Sequence, residues 1–437
     1  MLSPASFGFD IPVGHVTPCD WETAETEVAG QPVVARVHVK VGENFVLLLP
    51  DGQLVARRAN QVRRSDKPFK PDKHSLIGQR LLKGELARFS GMRMKKTRHY
   101  VFLYNTSPGF ADVTRTILES MLGGVQSFSE DQGIDTHKPD VPLVVIMFAT
   151  QAEFQAYRPM DERVLAYYNM VSNRVVLHEE SSLAGTRPDL ARGQLLSTIA
   201  HEGAHQILHN TGVQQRLSLW PMWLSEGLAE FMAPTSFGRR NRWKGAGETN
   251  DLRMFELETY LQSQFISGFD GTTIARTVSA ARLDSTGYAI AWAIVHYLAH
   301  QQTEGFDELV RRMSRLEPLR GMAAREGQPV TENLLHFHQL FGDDVQARET
   351  GMVDYLSELQ YESPVADYVH YVCLAAIPVD GQEKRLACFF HTPELIEQWR
   401  ENLQTEFTPR QLAAATWKIE EYPSRAAANQ VIRRFLR

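Results

Sequence analysis

Two histidines four residues apart, with a glutamate beside the first, are the residues of this chain whose types and spacing best suit catalysis. His201, Glu202 and His205 stand within residues 195–208. Side chains four positions apart share one face of an α-helix, so both rings can bind one metal ion. Glu202 can then reach a metal-held water as general base. Zinc suits such ligands and keeps a position open for water. A buried helix whose histidines only pack is the alternative.

The residues around this motif have the pattern of an amphipathic helix. Pro188 and Asp189 suit its start, and Asn-Thr-Gly at 210–212 suits its end. A third histidine, His209, continues the spacing. Three ligands on one straight helix would span about 12 Å of axial rise, too far for one ion. We therefore expect His209 to be a neighbour of the site, with a ligand role as the minor alternative. The apolar positions are Leu195, Leu196, Ile199, Ile207 and Leu208.

A second helix is predicted shortly downstream, where Pro221 suits the first turn and Pro234 the end. Glu226 follows His205 by 226 − 205 = 21 positions. If the two helices pack together, Glu226 can face the histidines as a third ligand. Glu230 lies one turn further on the same face, where it can accept the ring N–H of a ligand histidine. A solvated helix face is the alternative for both glutamates.

His-Glu-x-x-His followed by Trp-Leu-Ser-Glu-Gly-Leu-Ala-Glu resembles the gluzincin clan of zinc metallopeptidases, and more narrowly the bacterial peptidase-MA-like proteins. The resemblance covers roughly residues 97–350. It implies His201, His205 and Glu226 as ligands of one zinc ion, and Glu202 as catalytic base. Ser-Thr-Gly-Tyr-Ala-Ile-Ala-Trp at 285–292 resembles the clan's helix with an oxyanion-stabilising tyrosine, which makes Tyr288 the candidate. A tyrosine that only packs is the alternative there. The Gly-x-Met-Glu-Asn-type strand of aminopeptidases is not found, so aminopeptidase activity is not implied.

The short apolar run before the zinc helix is predicted to be a strand. In zincins the strand at this place is a sheet edge that pairs with extended substrate. By that analogy the expected substrate contacts are Val175, Val176, Leu177 and His178. The basic loop 236–245 is a second candidate, because it could select acidic substrate; a solvated loop is the alternative.

The predicted fold class is α+β, with a zincin-like peptidase domain at 97–355. That domain would combine a mixed sheet, the zinc helix and a helical lower half, and residues 143–148 would be a central strand buried on both faces. Short strands and tight turns in residues 1–70 favour a small SH3-like β-barrel, which is either a partner-binding module or a packing module without a ligand. Residues 71–96 read as a basic linker, and residues 356–437 as a small α+β module.

The composition narrows the function classes. With 43% hydrophobic and 22% charged residues, the 437-residue chain has the make-up of a globular protein of two or three domains. A net charge of −6 argues against general nucleic-acid binding. There is no apolar run long enough to span a membrane. Without a recognisable signal peptide, we expect a cytoplasmic protein, or an exported one whose leader has been removed. Cys19, Cys373 and Cys388 are expected to be free thiols, with a Cys373–Cys388 pair across a hairpin as the alternative.

The sequence therefore predicts a zinc-dependent peptidase that acts on a peptide or protein substrate. The alternative from another class is a non-catalytic protein that keeps a zincin fold and binds partners through its terminal modules. A zinc hydrolase that cleaves a non-peptide amide is a third hypothesis, because the motif specifies the attacking group rather than the substrate.

Overall fold

The computed structural model describes residue 12 and residues 15–181, 188–236, 242–264, 270–320, 331–363, 369–379, 381–423 and 425–436. The chain divides into two compact units, Met1–Tyr361 and Glu362–Arg437. Both contain helices and sheets, as the predicted α+β class requires. In the described part of the chain, no helix is both long and apolar enough to cross a membrane.

The first unit begins with a six-stranded antiparallel sheet. Its spatial order is β5-β4-β3-β2-β6, with β1 paired to β3. Among the described residues no pairing joins the two edge strands, β5 and β6, so the sheet predicted as a small SH3-like β-barrel does not close into a barrel. Alternating side chains bury apolar residues on both faces of this sheet. The strands are β1 (Val16–Thr17), β2 (Thr23–Val28), β3 (Gln31–Val41), β4 (Asn44–Leu48), β5 (Leu54–Arg58) and β6 (Arg63–Ser65).

The segment predicted as a basic linker is regular structure. It forms helix α1 (His74–Lys83) and strand β7 (Arg93–Lys96). Ile77 and Leu81 of α1 are buried, and β7 pairs antiparallel with the next strand of the chain, Tyr100–Tyr104. The linker prediction is wrong because it rested on the many lysines and arginines. The few apolar residues between them are spaced so that one face of α1 can pack against the central sheet.

The central sheet carries on one face helix α4 (Pro188–Asn210), called the metal-site helix because it holds the predicted ligands His201 and His205. Its order is β10-β11-β9-β8-β7, in which β8, β9 and β11 run parallel and the two outer strands antiparallel. All six residues of β9 are buried, which confirms the predicted central strand. The elements from β8 onward are β8 (Tyr100–Tyr104), α2 (Pro108–Asp131), β9 (Leu143–Phe148), α3 (Gln151–Tyr157), β10 (Ala166–Asn169) and β11 (Arg174–His178).

The edge strand next to the metal-site helix is β10 rather than β11. The strand that holds Val175, Val176, Leu177 and His178 pairs with β9 on one side and with β10 on the other. Its backbone groups are therefore already used, and the prediction that these residues form the sheet edge is wrong. A hairpin with Asn173 in the left-handed region (φ 58°) brings β10 back along β11 and creates the new edge.

Helices form the rest of the first unit, with one apolar core running from the central sheet through them. This run of helices agrees with the predicted helical lower half. The observed helices are α4 (Pro188–Asn210), α5 (Met222–Met232), α6 (Asp251–Gln264), α7 (Thr272–Ser279), α8 (Ser285–Gln301), α9 (Thr303–Ser314), α10 (Thr331–Phe341) and α11 (Val345–Glu358).

The described part of the second unit is a three-stranded antiparallel sheet of order β13-β12-β14 with three helices. Cys373 lies directly opposite Cys388 in the β12–β13 pair, yet both are free thiols, as is Cys19. The free-thiol prediction is confirmed. The elements are β12 (His370–Val379), β13 (Gln382–Phe390), α12 (Pro393–Leu403), α13 (Pro409–Ala413), β14 (Thr416–Tyr422) and α14 (Arg425–Leu436).

Helices α5 and α8 touch each other through their backbones at Gly227. A Cβ atom added to Gly227 would lie 2.5 Å from the carbonyl oxygen of Ala291 and 2.8 Å from its carbonyl carbon. Backbone atoms cannot move aside as a flexible side chain can, so only glycine allows this approach. The separation of α5 from α8 is thus fixed at a residue adjacent to Glu226.

We predict that Gly227→Ala lowers the free energy of unfolding by about 1–3 kcal/mol, because the added methyl group forces the two helices apart. Gly123→Ala on α2 is the matched control, since a Cβ there meets nothing within 4 Å. The control should gain about 0.5–1 kcal/mol from better helix propensity. Urea unfolding of both variants measures the difference, and equal stabilities would contradict the close helix contact.

Candidate metal site

His201, His205 and Glu226 meet at one point between α4 and α5. The Nε2 atoms of the two rings are 3.2 Å apart. Oε2 of Glu226 lies 3.1 Å from Nε2 of His205 and 3.2 Å from Nε2 of His201. All three residues are buried. The structure therefore brings the three predicted ligands together, as the i, i+4 spacing and the 21-residue separation required.

The size of this triangle suits a small divalent cation. Tetrahedral ligand atoms about 2.0–2.1 Å from one ion lie about 3.3 Å from each other, close to the observed separations. Two imidazole nitrogens and a carboxylate oxygen form the donor set that transition-metal ions of this size accept. Within the described part of the chain, this is the group of three ligand residues that meets the geometric requirement.

Glu230 connects the triangle to a buried arginine. Its Oε1 lies 2.9 Å from Nδ1 of His201 and 2.6 Å from Nη2 of Arg253, and its Oε2 accepts from the side-chain amide of Asn250 at 3.0 Å. A carboxylate at Nδ1 orients the ring so that Nε2 faces the metal position. The charge on Arg253 balances that of Glu230, which is only 1% exposed. Sequence spacing indicated Glu230, but gave no signal for Arg253 or Asn250.

These charges control protonation around His201. Burial disfavours a charged ring, but the carboxylates of Glu230 and Glu226 outweigh it and raise the pKa of His201 to about 10. Burial also opposes ionisation of Glu230; Arg253 and His201 overcome it and lower the pKa of Glu230 to about 2. Without a metal ion, the site therefore holds a proton on His201, and a metal ion would replace that positive charge.

Glu202 faces the sheet edge rather than the interior of the helix pair. Its Oε2 accepts a hydrogen bond from the backbone N–H of Tyr168 in β10 at 2.6 Å. Burial raises the pKa of Glu202 above its ordinary value. A carboxylate with a raised pKa is better matched to taking up a proton near neutral pH. The sequence predicted Glu202, but not its contact with β10.

Tyr288 enters the site from the first turn of α8. Its ring centroid is 5.9 Å from that of His201, and the guanidinium of Arg253 lies 5.8 Å from the tyrosine ring centroid. The negative charge of Glu226, followed by burial, raises the pKa of Tyr288. The phenol therefore keeps its proton over the ordinary pH range and is available as a hydrogen-bond donor.

His209 lies one turn beyond the triangle and takes no part in it. Its ring stacks on Tyr168 with centroids 5.6 Å apart, and burial lowers the pKa of His209 to about 3. Val175, Val176, Leu177 and His178 are buried in β11, where the ring of His178 packs 5.0 Å from that of Phe154. The tip of the basic loop, residues 237–241, lies outside the described residues.

Strand β10 is the main element that the sequence reasoning missed. Residues 166–169 read Ala-Tyr-Tyr-Asn, a short β-prone run separated by a turn from the predicted strand at 174–178. That hairpin pattern was the available signal. Its consequence is large, because β10 supplies the backbone N–H that meets Glu202.

Comparison with known proteins gives one family match. A family model described as a protein of unknown function (DUF1570) matches residues 195–320. The match includes His201, Glu202, His205, Glu226, Glu230, Arg253 and Tyr288. No curated protein matches the chain. The matched segment thus contains the side chains of the candidate metal site, and the family's description assigns no activity.

We predict that the purified protein holds about one divalent metal ion per chain and that Glu226→Ala loses it. Without the Glu226 carboxylate, only the two histidine nitrogens remain as ligands, which leaves an incomplete coordination sphere. His209→Phe is the matched control, because His209 stands on the same helix outside the triangle. Elemental analysis after dialysis measures the content. A metal-free wild type, or metal lost from the control alone, would contradict the site.

Proposed function

We propose that this protein is a zinc-dependent peptidase. The observation that carries the proposal is the meeting of Nε2 of His201, Nε2 of His205 and Oε2 of Glu226 within 3.1–3.2 Å of each other, beside Glu202. Two histidines and a glutamate are the ligands used by hydrolytic zinc sites that keep a position for water. A zinc ion bound there would polarise the scissile carbonyl and lower the pKa of water.

Side chains of the protein would supply proton transfer, stabilisation of the carbonyl oxygen and orientation of His201. Glu202 accepts a proton from the attacking water and returns it to the leaving nitrogen, for which its raised pKa is suitable. Tyr288, kept protonated by the charge of Glu226, donates to the carbonyl oxygen as that oxygen gains negative charge. Glu230 holds His201 in orientation and is itself held by Arg253.

The edge strand β10 is the surface proposed to bind the substrate. Backbone groups of an antiparallel strand point alternately toward and away from its partner. The N–H of His178 bonds to the carbonyl of Leu165, so Tyr167 and Asn169 also face β11, whereas Ala166 and Tyr168 face outward. Because the N–H of Tyr168 donates to Glu202, an extended peptide can pair with the other outward groups, the N–H and carbonyl of Ala166 and the carbonyl of Tyr168. The bond from Tyr168 N–H to Glu202 places that edge beside the proposed base.

We predict that Glu202→Gln keeps the metal ion but lowers the rate of peptide hydrolysis by about 10²–10⁴-fold, because the amide cannot take up the water proton. Cleavage of an unfolded protein, followed by mass spectrometry of the products, measures the rate. Glu304→Gln is a control carboxylate, exposed at the start of α9 and outside the metal triangle. Undiminished cleavage by Glu202→Gln would exclude the proposed base. Cleavage absent from the wild type, with metal present, would favour the non-catalytic binding protein.

We predict that Tyr288→Phe reduces kcat by about 10²-fold or more while the metal content and KM stay nearly unchanged. The phenol donates only where charge develops in the transition state, so its loss should affect turnover more than binding. Steady-state kinetics on a peptide that the wild type cleaves gives both constants. An increase of KM at constant kcat would instead show that Tyr288 only helps to bind the substrate.

A further inference from the structure

A large groove of the first unit lies away from the metal triangle. It has a volume of about 910 Å³. One wall is β5 of the N-terminal sheet; the other is formed by residues 84–88, the end of α3 and the strands β10 and β11. This size lies in the range of functional binding clefts. The residues that decide its chemistry are Arg57, Arg88, Arg158, Arg174 and Glu85.

The groove and the metal site use opposite faces of β10. Tyr167 and Asn169 line the groove, whereas Tyr168, between them, packs into the core shared with α4. Successive side chains of a strand point to opposite sides of the sheet. A ligand in the groove therefore cannot touch His201 or Glu202, although it contacts the strand that bonds to Glu202.

The lining of this groove is strongly basic. It contains four arginines and one acidic residue, Glu85. The side chain of Arg174 is only 7% exposed, and its Nη1 donates to Oε2 of Glu85 at 2.5 Å and to the hydroxyl of Tyr157 at 3.1 Å. The groove keeps a net charge of +3, on a chain whose total is −6. Such local concentration of positive charge attracts anionic ligands.

Two of these arginines donate hydrogen bonds to backbone carbonyls, and Arg88 also lies over the ring of Phe89, 5.0 Å from its centroid. Arg57 on β5 donates to the carbonyls of Ala56 and Glu27. Arg88, on the opposite wall, donates to the carbonyl of Ala156 at 2.6 Å. Among the described residues neither arginine forms an ion pair with a carboxylate. Both walls therefore offer a cation that a carboxylate ligand could neutralise.

The β5 wall also offers backbone hydrogen bonds. β5 pairs with β4 on one side and is otherwise an edge of its sheet. The N–H of Leu49 bonds to the carbonyl of Gln53, whereas the N–H of Leu54 turns away to the carbonyl of Val171. By alternation, the backbone groups of Ala56 also face away from β4 and toward the groove; its carbonyl accepts from Arg57, and its N–H is the group that an added strand can use. An added strand needs such outward groups.

We propose that this groove binds an extended, acidic peptide segment, which pairs with the outward edge of β5 and places carboxylates on Arg57 and Arg88. The strand edge favours an extended backbone, and the arginines select its charge. The inference concerns binding alone and does not depend on the proposed peptidase activity.

The test uses the full chain carrying Glu202→Gln, so that no peptide is cut. A fluorescent peptide of about nine residues that alternates glutamate and threonine is titrated at low salt, and its anisotropy gives Kd. We expect saturable binding that weakens at about 0.5 M salt. A control peptide in which lysine replaces each glutamate should not bind. Replacing both Arg57 and Arg88 by alanine should raise Kd about tenfold or more. The matched control replaces Arg63 and Arg64 on β6, the other edge of the sheet, and should leave Kd within about twofold.

Ala56→Pro separates strand addition from simple anion capture. Proline removes an N–H that β4 does not use, so the edge strand tolerates it while an added strand loses its partner. We expect a rise in Kd of about tenfold, with the thermal unfolding temperature reporting the fold. If replacing both Arg57 and Arg88 by alanine left peptide binding unchanged, the proposed binding site would be wrong. Normal binding by Ala56→Pro, or displacement by citrate or a single-stranded oligonucleotide of equal charge at equal concentration, would overturn the extended-peptide assignment.

Discussion

The structure depends on keeping three carboxylates close together where α4, α5 and the central sheet meet. Glu226 and Glu230 are buried there, whereas Glu202 is partly exposed, and a buried charge without a partner costs several kcal/mol. Each carboxylate meets a different partner: His201 and His205 for Glu226, Arg253 for Glu230 and a backbone N–H for Glu202. A divalent ion at the triangle would complete the balance. Helices α4, α5 and α6 and strand β10 must therefore hold a fixed arrangement.

The N-terminal sheet helps to fix one of those partners. Arg216, which is buried, donates to the carbonyls of Met170 and Val171 in the turn after β10, and to the carbonyl of Gly52 beside β5. Apolar residues of that sheet pack on Val171 and Leu217. The turn that ends β10 is thus held between the two sheets. Because Tyr168 in β10 bonds to Glu202, the N-terminal sheet belongs to the structure that positions the proposed base.

The sequence predicts those parts of the site whose residues lie close together in the chain better than those that come from distant segments. His201, Glu202 and His205 follow from helix geometry alone, and Glu226 required only that the next helix pack against the first. Arg253 could not be found, because no spacing rule relates a side chain on α6 to Glu230. The fold shows the same limit: β9 was readable from its own apolar run, whereas the edge position of β10 depends on a hairpin with β11. The open N-terminal sheet likewise depends on pairings between distant residues, which composition does not specify.

Strand β10 is where these separate features meet. Its outward backbone edge faces Glu202, its Tyr168 side packs on the metal-site helix, and its Tyr167 side lines the basic groove. A four-residue strand has few hydrogen bonds of its own, and it keeps its place because both faces are packed and its following turn is held by Arg216. Strand β10 is therefore the element that contacts both the proposed base and the basic groove.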